Sequence, residues 1–408
     1  MSLSRKSILQ IGIAVVAALG ILWLVVGFGS KASGSNAHSS PTAAASGQPA
    51  ATHESAKPAA ARLRAGERFE TVGLAGAYTP SAPSGGTDDY RCFLLDPKLT
   101  SDALLTGTTV LPDNLDVTHH AILYRVAPEQ VAQAQALDAR SDGDGWTCFG
   151  DSLIPQPEGG RLVGLNDAPW MAAWAPGSKE SVYPAGSGVV LPAGTQFVLQ
   201  MHYNTRGTVG PDASKVQLRL SDDVAGATSV HTMLLPGPVE LPCAPGESGP
   251  LCNRGAAVAD VTQRFGAGAG QTVAGLQLLC GGSLTDPKSG ATQSCDRRIE
   301  QPTQIWAAAG HMHLLGKSIS IDVNPGTDRE RRVLEVPVYD FDNQGARPLA
   351  KPVTLQPGDT VRVTCTHDAS LRQKLPALQG TEPRYVVWGE GTTDEMCLGI
   401  LIYTNPKA

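Results

Sequence analysis

At 408 residues the chain has room for two or three domains and ample length to bury a core. Its 45 glycines and 30 prolines, with aromatics at only 5%, favour an all-β protein with many turns over a helical one. A mild net charge of -6, without basic clustering, speaks against a nucleic-acid partner.

In chain order, Arg5 and Lys6 precede an apolar run over residues 8–28, interrupted only by Gln10, and Lys31 follows it. As a helix this run spans about 31 Å, close to a bilayer core. Basic residues on its short N-terminal side predict that this end stays cytoplasmic and the rest is exported. A cleaved signal peptide is the alternative, since small residues such as Ala32 and Ala37 follow. The apolar core exceeds the usual signal-peptide length, which favours a transmembrane anchor over residues 1–29. Either way the remainder is exported. Eight cysteines agree, because an even count in an exported chain reads most simply as disulfides, though of undetermined connectivity. There is no CxxC or CxxxC pair, which argues against a zinc ribbon or a redox-active dithiol.

Residues 30–66 are dominated by Ala, Ser, Pro, Gly and Thr and cannot bury a core. They read as a linker reaching on the order of 30 Å as a random coil. His38 and His53 lie in it as bystanders. From residue 67 the pattern is strand, turn, strand, with β-compatible runs at 90–95, 121–126, 188–191, 196–203 and 215–220. Residues 128–140 are the helical exception, with Pro at the start and then Glu, Gln, Val and repeated Ala. A second series of runs covers 273–279, 304–309, 318–323, 332–338, 360–364 and 400–403. The spacing predicts two tandem β-sandwiches, residues 67–224 and 225–408, with a seam near 222–229. The Gly266-Ala267-Gly268-Ala269-Gly270 run reads as a turn, since no helix or Lys is expected after it.

The histidines carry the strongest signal. Of nine, two lie in the linker, and five of the others form three compact clusters: His119-His120, His202 and His311-Met312-His313. Residues two apart on a strand share a face, so His311 and His313 would project side by side. Adjacent His119 and His120 would point to opposite faces of a regular strand. They can serve one metal only if the backbone bends or the strand has ended. His202 sits in an apolar strand. A lone histidine is more often a satisfied core residue, the reading given to His231 and His367. Three clusters in a histidine-poor chain instead favour metal binding.

Four segments resemble the copper type II ascorbate-dependent monooxygenases, the family of peptidylglycine α-hydroxylating monooxygenase and dopamine β-monooxygenase. They are Asp116 to Tyr124 with its His-His pair, Leu199-Gln200-Met201-His202-Tyr203, Gly310-His311-Met312-His313 to Lys317, and Thr393-Asp394-Glu395-Met396-Cys397. They occur in the family's order with similar spacing, and the resemblance covers roughly residues 70 to 405.

The resemblance implies two jelly-roll-like sandwiches and two copper ions facing each other across a solvent-filled cleft. His119, His120 and His202 would hold the electron-transfer copper. His311, His313 and Met396 would hold the oxygen-binding copper and be the catalytic set. The co-substrates would be O2 and ascorbate or another reductant, and the product an alcohol. A thioether suits Cu(I), whereas two histidines and a methionine would be an odd choice for zinc. A lone methionine is usually core filler, and the Glu-Met-Cys setting is what lifts Met396 above that. The family's pairing also implies a Cys365–Cys397 disulfide; Cys243–Cys252 and Cys280–Cys295 then suit local pairs by spacing, leaving Cys92 with Cys148. Asp340 or Asp342 could hydrogen-bond a ligating histidine, although a turn between strands explains the same residues.

The sequence also departs from the family. Ala309 stands where the peptide-amidating enzymes place a carboxylate-gripping arginine two residues before His-x-His, and Leu398 and Ile400 replace a polar Asn and Tyr. An uncharged small-molecule substrate is expected, unless Lys317 or Arg206 supplies a displaced cation. Two other classes stay open: a copper-binding or copper-relay protein without turnover, and a zinc hydrolase built on the three-histidine site. The sequence names neither the substrate, the electron donor nor the oligomeric state.

Overall fold

Short apolar stretches cut by Gly and Pro become strands here, because each is too short for a stable helix and is bounded by residues that turn the chain. The computed structural model describes residues 60–83, 86–141, 144–155 and 168–406. The expected anchor and most of the linker lie outside the described residues. Among those described, no helix is long and apolar enough to cross a membrane.

The first half comprises strands β1 (Glu67–Gly73), β2 (Asp88–Leu95), β3 (Ala103–Leu111) and β4 (Thr118–Val126), then helix α1 (Val131–Asp138). It continues with β5 (Trp146–Thr147), β6 (Trp170–Trp174), β7 (Ser181–Val182), β8 (Ser187–Leu191), β9 (Gln196–Asn204) and β10 (Lys215–Ser221). The second half opens with β11 (Thr228–Pro236) and β12 (Glu240–Leu241), followed by helices α2 (Arg254–Phe265) and α3 (Ala267–Leu279). Then come β13 (Thr292–Arg298), β14 (Thr303–His311), β15 (Gly316–Val323), β16 (Arg331–Val336), β17 (Arg347–Leu355) and β18 (Thr360–His367). A short helix α4 (Leu371–Lys374) precedes β19 (Val386–Val387) and β20 (Leu398–Thr404).

The described residues are thus mostly β. A long sheet runs β1-β10-β3-β8-β11-β20-β14-β17, a five-stranded sheet runs β5-β2-β9-β4-β6, and a four-stranded one runs β13-β18-β15-β16. Buried side chains of the first half, among them Phe93, Leu105, Leu123, Phe197, Met201 and Leu218, form one core. Those of the second, including Ile305, Met312, Ile319, Val363 and Leu401, form another. The backbone does not break at the expected seam. Thr228 and Ser229 pair in parallel with Ser187 and Gly188, so the long sheet passes through both halves.

Two sequence expectations fail in one place. Residues 273–279, expected as a strand, lie in α3, and a helix does follow Gly266, contrary to the reading of the glycine run as a simple turn. Gly266, at φ 85°, breaks the chain between α2 and α3 in a conformation that favours glycine. Gly270 lets the two helices meet, since a Cβ there would lie 2.6 Å from the Thr262 hydroxyl. Small residues that read as loop therefore serve close helix packing. The expected helix at 128–140 is present as α1 with short 3-10 turns on either side.

All eight cysteines are paired, as Cys92–Cys148, Cys243–Cys252, Cys280–Cys295 and Cys365–Cys397. Such pairing belongs to an oxidising, exported environment. The Cys365–Cys397 bond closes a sequence separation of 32 and fastens the start of β20 to β18. In the chain-entropy view it is worth about 3–4 kcal/mol. Replacing both cysteines by serine should lower the denaturation free energy by about that amount, read from urea unfolding. Peptide mapping of the native chain without reductant should recover the four pairs and no Cys397 thiol.

Candidate metal centre

His120, His202 and Tyr90 stand in one row across β4, β9 and β2, because His120 pairs with His202 and His202 with Tyr90. His119 joins them through an irregularity in β4, whose register slips between Thr118 and His120. A bulge of this kind re-aims a side chain that a regular strand would send to the other face. It is the bend that two adjacent histidines need in order to share one site. His119 Nδ1 lies 2.8 Å from His202 Nδ1, and His120 Nδ1 lies 3.2 Å from the same atom. The three histidines form a buried group able to hold a metal ion.

Their chemistry suits that role. The Asp88 carboxylate accepts from His202 Nε2 at 2.9 Å, which leaves the His202 Nδ1 lone pair directed at its neighbours. Burial pushes His119 and His120 well below the ordinary histidine range, reinforced by the nearby imidazoles. It lowers His202 as well, against the opposing pull of Asp88. Neutral imidazoles are the ligand form. Three neutral rings meeting at Nδ1 have only their own tautomeric protons to place between them, whereas a cation at their focus would use all three lone pairs.

His311 ends β14, and His313 lies past the strand end in the turn that leads to β15. The expected side-by-side projection is met, with ring centroids 5.2 Å apart, but through a turn rather than a regular strand. Met312 between them is fully buried in the second core. Its backbone is clamped by Tyr339, whose hydroxyl accepts from Met312 N at 2.8 Å and donates to Met312 O at 2.7 Å. His311 Nδ1 meets Gln344 Oε1 at 2.6 Å, and His313 Nδ1 meets the Asp394 carbonyl at 3.2 Å. Both partners are acceptors, so both rings carry hydrogen on Nδ1 and keep a lone pair on Nε2. His313 Nε2 is buried without a partner. Burial, then the charge of His313, holds His311 down to about 3.

Met396 is buried in the second core, far along the chain from this pair. Its neighbour Glu395 accepts from the backbone of His313 at 2.9 Å and of Leu315 at 2.5 Å. Burial would raise the Glu395 carboxyl, but bonds and charge from His367 and His313 hold it low. His367, read from sequence as an ordinary core histidine, sits behind the segment, its Nε2 3.2 Å from the Met396 carbonyl and 3.3 Å from Glu395.

Two expectations are corrected here. Neither Asp340 nor Asp342 reaches a site histidine through a described hydrogen bond: Asp340 accepts from Asp342 N in a turn, and Gln344 supports His311 instead. Nor do the two histidine groups face each other across a solvent-filled cleft. The rings of His120 and His311 are 5.5 Å apart and those of His119 and His313 6.5 Å, with Phe341 stacked on His119 at 4.4 Å. Asp88, Gln344 and Glu395 were missed as supporting residues. Asp88 left a trace as the alternate neighbour of Tyr90 on a strand, and Glu395 as part of the Glu-Met-Cys segment, but Gln344 left none.

Residues 286–408 match the family model described as copper type II ascorbate-dependent monooxygenase, C-terminal domain. Over these residues the chain is similar to that family. The matched segment contains His311, His313 and Met396, while His119, His120 and His202 lie outside it and come to it through the fold. Similar solved structures include an allantoicase, at 10% identity and TM-score 0.17 over 80% of this chain and 90% of that one. The VP2 subviral particle of infectious bursal disease virus matches at 8% identity and TM-score 0.19 over 83% and 72%. Likeness at that level carries no argument about this chain.

If the three-histidine group is a separate metal site, His202→Ala should remove one metal ion per chain and leave a second bound. Metal analysis after gel filtration checks this; unchanged stoichiometry would remove His202 from the ligand set.

Proposed function

We propose that this chain is an exported copper-dependent monooxygenase that hydroxylates an activated C–H bond of a small, uncharged substrate, using O2 and an external reductant such as ascorbate. The observation that carries the reading is the meeting of a three-histidine group with the His311–His313 pair of a copper monooxygenase segment. In this reading His119, His120 and His202 would hold one copper, and His311, His313 and Met396 would hold the other. The donor set fits: the orphaned His313 Nε2 gains a partner, and a thioether favours Cu(I) over zinc. Copper, when bound, supplies the one-electron and oxygen chemistry, and the protein's part is ligand aim, substrate placement and exclusion of water. We read residues 67–224 and 225–408 as two jelly-roll-like sandwiches, each contributing one set, held to the membrane through residues 1–29.

The substrate class follows from the surface beside His311. Ala309 shares its face of β14, and the residues paired with these two on β20 are Ile400 and Leu398. Leu234 of β11 pairs with Ile400 and extends the same apolar face. A carboxylate placed there would lose water without gaining a cation, whereas hydrocarbon gains about 25 cal/mol per Å2 buried. The two candidate cations offer little help: Arg206 donates to the Ala377 carbonyl at an exposed position, and Lys317 is exposed.

The decisive experiment is oxygen consumption and product analysis with the copper-loaded chain, ascorbate and a panel of neutral compounds. Zinc at full occupancy, or copper without turnover across the panel, would favour the hydrolase and relay alternatives. Met396→Leu conserves size and apolarity and should cost under about 1.5 kcal/mol of stability, yet activity should fall by orders of magnitude. Full activity in that variant would return Met396 to the core. In competition assays neutral amides should bind at least as tightly as the corresponding carboxylates; a strong preference for carboxylates would defeat the apolar-surface reading.

A further inference from the structure

We propose that Asp88 is a positioning residue shared by both ligand sets, aiming His202 while tethering the segment that carries Met396. The inference rests on the copper reading above. Asp88 begins β2, opposite Asn204 at the end of β9, and its side chain is only 9% exposed. One of its oxygens, Oδ1, accepts from His202 Nε2 at 2.9 Å, from the Thr392 hydroxyl at 2.5 Å and from Thr392 N at 3.2 Å. Its other oxygen accepts from the Thr87 hydroxyl at 2.8 Å. Thr392 is itself buried, and its hydroxyl also accepts from Asn204 Nδ2 at 3.4 Å. Two strands of the first half therefore hold a segment 304 residues further along the chain.

That segment is itself cross-linked by hydrogen bonds. Asp394 N donates to the Gly391 carbonyl at 2.8 Å, and Gly391 N donates back to the Asp394 carboxylate at 3.1 Å. Gly389 N bonds the Glu395 carbonyl at 3.1 Å. Arg264 of α2 fixes the same Asp394 carboxylate with two bonds, at 2.8 and 2.6 Å. Thr392 thus sits in a closed loop whose other members bond His313 and flank Met396. A carboxylate behind a ligating imidazole sets its tautomer and raises its basicity, and its loss usually costs 10–100-fold in metal affinity. Here the same oxygen also bears on the second ligand set, so one substitution in β2 should disturb both.

The test uses the full chain loaded with copper, with Asp88→Asn, Thr392→Val and Thr392→Ser. Stepwise Cu(I) competition with a chelator gives an affinity for each set, and copper–sulfur X-ray scattering identifies the methionine-bearing one. Asp88→Asn should weaken the three-histidine set by about 10–100-fold and also weaken the other set, with reduced copper–sulfur scattering. Thr392→Val should weaken the methionine-bearing set alone, and Thr392→Ser, which keeps the hydroxyl, should restore it. Should Asp88→Asn not fold, the Thr392 pair still decides: equal, wild-type behaviour of the Val and Ser variants overturns the shared role. An Asp88→Asn chain whose loss is confined to the three-histidine set, or absent, overturns it too. A wild-type chain that takes up no copper overturns the copper reading and this inference together, whereas two coppers with unaffected variants overturn this inference alone.

Discussion

Neutral imidazoles buried together cannot aim themselves, and that constraint organises the centre of this molecule. Removed from water, a ring that is to serve as a ligand must have one nitrogen occupied by a partner if the other is to present a lone pair. Asp88 does this for His202, Gln344 for His311 and the Asp394 carbonyl for His313. The choice of partner decides which nitrogen is offered. It is Nδ1 at His202 in the first group and Nε2 at both rings of the second. An error in any one partner would turn a ligand into a donor pointing at its neighbours.

Much of the surrounding architecture exists to place those partners. Glu395 accepts from two backbone amides of the turn after β14, which ties the segment bearing Met396 to the turn bearing His313. Arg264 ties Asp394 to α2, and the Cys365–Cys397 bond fastens the other end of the segment to β18. Tyr339 clamps Met312 on both backbone groups, which keeps the side chains on either side of it directed together. Charge-assisted bonds in a buried setting are strong when complete and costly when broken, which suits a scaffold that must hold ligand directions closely.

The long sheet adds a second consequence. Because β11 continues onto β8, the two halves share hydrogen-bonded backbone as well as packed side chains. Tyr90 reinforces this by stacking on His202 at 3.9 Å and donating its hydroxyl to the Glu390 carbonyl at 2.5 Å. The histidine groups consequently lie ring against ring, not across open solvent.

From sequence alone one could read the β-rich class, the exported character of the chain and the histidines that come together, because these depend on composition, period and the rarity of one residue type. Local spacing also supported two disulfides, whose loops are short. The helical hairpin was illegible, since glycine and alanine read the same in a turn and at a tight helix contact, and only the meeting of Gly270 with Thr262 tells them apart. The bulge at His119 was legible only as a requirement, because a slip in register belongs to the pairing of β4 with β9 and not to either strand. What Asp88, Gln344 and Glu395 would bond to was beyond reach for the same reason. A carboxylate or amide carries no mark of which imidazole it will meet, and hydrogen bonds spanning up to hundreds of residues exist only once the sheets have brought their ends together.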